Sequence, residues 1–168
     1  MSVLKFYYPG TIVLLFSSML VVLTAVMVSA EEKQAFRTAL IYDDVFLEHE
    51  TRKGFPEHAD RLRLLTKHLR QHDVSKRLLW AVPDEKIDAL RWIKTVHDPE
   101  YVAELKRACE AGEKLMHGSA DTPISKRTYE VATKAVAGAL TAVDLVMEKK
   151  VTNAFAALRP PGHHAMPD

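Results

Sequence analysis

The sequence predicts an α/β fold from three observations: a short apolar run at residues 37–42, "RTALIY"; helical spacing of apolar side chains through the middle of the chain; and a second, nearly all-apolar run at 152–158, "TNAFAAL". Runs that short and that apolar suit strands buried on both faces of a parallel sheet. Strand, helices, strand is the order that builds such a sheet.

In chain order, the first element precedes the fold. From Thr11 to Ala30 the stretch "TIVLLFSSMLVVLTAVMVSA" carries no charge, follows Lys5, and ends on Val28-Ser29-Ala30 before Glu31-Glu32. A positive start, an apolar centre and small residues at the end make an export signal. The run also approaches the ~20 residues that span a bilayer as a helix, so cleavage and retention as a membrane anchor through residues 11–30 both stay open. Either outcome places residues 37–168 outside the cytoplasm, in the periplasm or secreted, or anchored and facing outward. The chain has 168 residues, of which 48% are hydrophobic, enough for one domain with its own core. After residue 30 the chain balances 22 basic against 22 acidic side chains. That balance, with acids interleaved among the bases, leaves no electrostatic footprint for nucleic acid.

The "RTALIY" strand leads into a loop running to about Phe55. Pro56 suits the first turn of a helix, Glu57 and Asp60 favour its positive end, and Leu62, Leu65 and Leu69 form one face. A second helix opens at Asp98-Pro99-Glu100, a capping residue followed by proline, carries Val102, Leu105 and Cys109 on one side, and stops at Gly112. Cys109 is the only cysteine, which excludes an internal disulfide; its place on the stripe suits a small core residue. The third helix runs from about Ser125 to Glu148, with Tyr129, Ala132, Val136, Leu140, Val143 and Met147 as its core stripe. Small side chains at Ala135, Gly138 and Ala139 let that helix lie close against a sheet. "TNAFAAL" follows as the strand.

Loops at the carboxyl ends of strands collect functional groups in open α/β sheets, and Arg159–Ala165 is such a loop. Its two prolines stiffen the backbone, its glycine permits a tight turn, and His163 and His164 sit next to each other. Imidazoles titrate near neutrality, at about pH 6.5. Adjacent side chains diverge, which favours acid/base or electrostatic work over joint metal binding; a solvated surface pair is the bland alternative.

"NAFAALRPPGHHA" resembles the strand and active-site loop of the zinc-dependent histone deacetylase family, which includes acetylpolyamine amidohydrolases. "GFPEHADRL", "VHDPEYVAEL" and "DTPISKRTYEVATKAVAGALTAVDLVM" resemble further segments of that family, in family order. The resemblance covers about Thr38 to Ala165. It implies a three-layer, arginase/deacetylase-like α/β fold with a mainly parallel sheet, of which residues 37–168 are the N-terminal portion. It implies hydrolysis of acetylated lysine, polyamine or similar amines. By it, His164 is the general base toward a zinc-bound water and later protonates the leaving amine, and His163 is its electrostatic partner. Asp121 corresponds to a rim carboxylate that orients substrate, Gly162 to a substrate-binding position, and Arg61 to an arginine of the channel behind the site. A turn residue and a solvated helix charge are the plain alternatives for Asp121 and Arg61. Phe55 and Ala59 depart from the family pattern, which usually has histidine and proline there. The zinc ligands and transition-state tyrosine of the family come from later loops, so no residue here is assigned as a metal ligand; His97 beside Asp98 reads as part of a helix entry. Two other readings stand beside this one: a truncated, non-catalytic remnant serving as an exported or membrane-tethered binding domain, and a generic exported α/β binding protein.

Overall fold

The computed structural model describes residues 38–162; the export segment and the histidines at 163 and 164 lie outside the described residues. The short apolar run forms β1 (Thr38–Ile41), at the centre of a three-stranded sheet. It is flanked by β2 (Leu78–Ala81) and β3 (Asn153–Ala156), and both pair with it in parallel. Leu40 stands opposite Trp80 on one side and Phe155 on the other. Parallel neighbours require crossovers, and helices supply them.

Alternate strand residues point to opposite faces, and the core divides accordingly. Leu40, Leu78 and Trp80 share a cluster with Leu62 and Leu69 of helix α1 (Ala59–Gln71). Ala39, Ile41, Leu79 and Ala81 share the other with Ala142, Leu145 and Val146 of α4 (Thr128–Met147). Helix, sheet and helix are therefore stacked as the predicted α/β class requires. Between α1 and α4 in chain order come α2 (Ala89–Ile93) and α3 (Pro99–Ala111).

The capping chemistry read for α3 is in place. Glu100 N–H donates to the Asp98 carboxylate at 2.7 Å, Pro99 occupies the first turn, and Gly112 closes the helix at φ 78°. Only a residue without Cβ takes that left-handed angle freely. Cys109 is buried, and burial raises its thiol pKa. Gly138 behaves as its position suggested. A Cβ there would meet the Leu158 Cδ2 at 2.8 Å, with Pro83 and Ile41 next nearest, so α4 packs closely here and a larger residue would push the Leu158 side chain aside.

Several expectations need correction. Helix α1 begins at Ala59, not Pro56, because Glu57 is held elsewhere: its carbonyl accepts from the Thr51 hydroxyl at 2.7 Å and its carboxylate binds Arg159. Its buried face is Leu62, Thr66 and partly Leu69, while Leu65 is exposed; the Thr66 hydroxyl is satisfied by the Leu62 carbonyl at 2.9 Å. The core face of α4 is Thr128, Val131, Ala135, Gly138 and Thr141, whereas Val143 and Met147 are exposed. Small side chains won the sheet side because close packing selected them. Strand β3 is not buried on both faces: its exposure alternates along the strand, with Phe155 54% exposed, and it pairs only with β1 among the described residues. Strand β2 and helix α2 were missed. Among the described residues no helix is long and apolar enough to cross a membrane.

Candidate active site

At the carboxyl end of the sheet, the loop after β1 and the loop after β3 are stitched together by one side chain. Arg159 is 4% exposed. Its Nη1 donates to the Phe46 carbonyl at 2.8 Å, and its Nη2 donates to the His49 carbonyl at 3.1 Å and to Glu57 Oε2 at 2.9 Å. Its Nε donates to Glu57 Oε1. A guanidinium is a planar fork of donors, and two parallel bonds to one carboxylate fix its orientation as well as its charge.

His49 completes this arrangement. It is buried, with Nδ1 2.8 Å from the Thr128 hydroxyl and Nε2 3.7 Å from Glu57 Oε2. Its pKa is pushed down to about 4, first by burial and second by the Arg159 guanidinium, only partly opposed by the Glu57 carboxylate. The ring is therefore neutral near pH 7. The Thr128 hydroxyl is the hydrogen-bond partner of its Nδ1. That hydroxyl in turn accepts from the Ser125 N–H at 2.7 Å, where α4 begins.

Beside this cluster opens a cavity of about 990 Å³. Pro160, Pro161 and Gly162 form part of its wall, as do Glu57, His49 and Arg61. Asp121 lies across the chain in a loop closed by the Leu115–Pro123 bridge and by Met116 N–H donating to the Thr122 carbonyl at 3.0 Å; it too lines the cavity. Three residues singled out from sequence, Arg61, Asp121 and Gly162, thus meet at one cavity. The walls between them are apolar: Phe55, Leu105, Met116 and Ile124, with Tyr129, Ala132 and Val136 of α4. The stripe read as core on α4 is in large part cavity lining.

The model of the histone deacetylase domain matches residues 55–168. This chain belongs to the histone deacetylase family. A protein of Archaeoglobus fulgidus named "Probable deacetylase" is 33% identical over 132 residues, spanning 77% of this chain and 35% of its own length. The "Histone deacetylase-like amidohydrolase" of Pseudomonas aeruginosa is 35% identical over 88 residues, which is 52% of this chain and 22% of that protein. Among solved structures, the HDA15 HD domain superposes with a TM-score of 0.65 at 25% identity, over 77% of this chain and 37% of that one. The chain thus spans well under half the length of these deacetylase relatives. The family generally depends on zinc. Among the described residues no group of three His, Cys, Asp or Glu side chains could hold a metal ion.

His49, Glu57 and Arg159 escaped the sequence reading as a unit. Arg159 immediately precedes the proline pair, which is a local signal for it. Nothing local links it to Glu57, which lies 102 residues away.

Proposed function

We propose that the chain supplies the proton-transferring loop of a deacetylase that hydrolyses an acetylated amine, such as acetyl-lysine or an acetylated polyamine, to acetate and a free amine. Water adds across the amide: its oxygen bonds to the acetyl carbon, the C–N bond breaks, and a proton passes to the departing nitrogen. His164 accepts the proton of the attacking water and returns it to that nitrogen. His163 stabilises the charge that His164 carries meanwhile. Asp121, at the cavity rim, accepts hydrogen bonds from the substrate backbone, Gly162 lets substrate approach the loop closely, and Arg61 lines the channel beyond. The zinc on which the family generally depends would supply the Lewis acid for such chemistry.

The observation that carries this reading is the shared cavity: Asp121, Arg61 and Gly162 converge on it, and the histidine pair follows Gly162 directly in sequence. Its apolar lining suits the methylene chain of an acylated amine, because such walls repay removal of CH₂ groups from water at roughly 0.8 kcal/mol each. In the intact enzyme, His164→Ala is expected to lower kcat by about 10²- to 10⁴-fold, the usual worth of a positioned acid/base. Steady-state deacetylation of an acetyl-lysine peptide and of an acetylated polyamine measures it. Unchanged turnover removes His164 from the mechanism, and no hydrolysis of any acetylated amine by the wild type leaves the binding-domain reading.

A further inference from the structure

We propose that Arg159 and Glu57 are positioning residues for the histidine pair, fixing where the loop Pro160–Gly162 leaves the sheet, with His49 as the brace that keeps Glu57 committed to Arg159; this rests on the reading of His164 as the general base.

A buried ion pair is a poor choice for stability alone. Desolvating both charges cancels much of their attraction, and well-packed apolar residues often serve as well or better. What the pair does provide is orientation. Each nitrogen of the guanidinium donates to a defined oxygen, and those oxygens belong to the loop after β1, at Phe46 and His49, and to the approach to α1, at Glu57. Arg159 is the last residue before Pro160, and two prolines in succession leave few free backbone torsions between this anchor and Gly162. An orientation set at Arg159 is therefore carried along the cavity wall to the point where the histidines follow in sequence.

The position of His49 matters for the same reason. Its Nε2 lies 3.7 Å from the carboxylate oxygen that Arg159 Nη2 also uses. A charged imidazole there would compete for Glu57; a neutral one, held from behind by Thr128, does not. Glu57 is thereby left to Arg159, and the anchor keeps a single geometry.

The test is a double-mutant comparison in the intact enzyme, with kcat and KM for an acetyl-lysine peptide and the thermal midpoint measured for every variant. Arg159→Lys keeps the charge but loses the fork. It is expected to lower kcat by about 10- to 100-fold, the cost of displacing a reacting group by about an ångström, while KM stays within about 3-fold. Combined with His164→Ala, the same substitution is expected to cost less than about 2-fold, because residues acting through one another are not additive. Glu57→Gln, which keeps the shape and one acceptor, runs through the same comparison and decides the matter if the lysine variant fails to fold. Equal losses with and without His164, or a lowered thermal midpoint with unchanged kcat, overturn the inference while leaving His164 as the base. A His164→Ala enzyme at full rate overturns both.

Discussion

His49 shows how much one side chain's surroundings decide. The sequence contains eight histidines, and nothing local distinguishes this one, yet its surroundings lower its pKa to about 4. The consequence for stability follows from linkage. Unfolded, the imidazole binds a proton below about pH 6.5; folded, it does so only below about 4. Between these values the unfolded state holds more protons, so folding stability drops as pH falls through the window and this contribution is gone below it. At about 1.4 kcal/mol per pKa unit the loss is a few kcal/mol at most. Urea unfolding of the intact protein from pH 7.5 to 4 is expected to show this decline, and His49→Gln is expected to flatten it. The Arg159–Glu57 pair teaches the same lesson. Its members were visible as a loop arginine and a helix-entry glutamate, but their pairing belongs to three-dimensional space.

Among the elements, the helices were the most legible and their faces the least. Cap residues act within a turn, so Asp98, Pro99 and Gly112 announced α3 from sequence alone. The stripe on α4 was misassigned because two of its faces are apolar, and periodicity cannot tell the side against the sheet from the side against a cavity. The small residues could, and Gly138 is the most sensitive of them. Gly138→Val is expected to destabilise the intact protein by about 1–3 kcal/mol, the usual cost of overpacking, by driving methyl groups toward Leu158, Pro83 and Ile41. Because Leu158 adjoins Arg159, turnover is expected to fall as well; chemical denaturation and a kcat measurement check the two effects. Strand β2 has no local signal of its own because "LLWA" follows charged residues without a turn signal to bound it, and its pairing with β1 makes it a strand.

For the whole molecule, the sheet order β2-β1-β3 brings chain segments from both ends of the described region around one central strand, and the cavity forms where their loops meet. The N-terminal segment makes a separate prediction: residues 1–30 fused to a reporter active only outside the cytoplasm are expected to yield activity, and replacing Leu14 and Leu15 by aspartate is expected to abolish it. The sequence by itself determined the α/β class, the cap-defined helix α3 and the close packing of α4 at Gly138, because each of these depends on short-range pattern, on neighbours within a turn or on a backbone requirement of one residue. Tertiary structure alone decided which face of α4 meets the sheet, that β3 leaves Phe155 exposed, and that His49, Glu57 and Arg159 form one unit. Those outcomes depend on contacts between residues far apart in the chain, where burial and pairing are settled only once the loops close over one another.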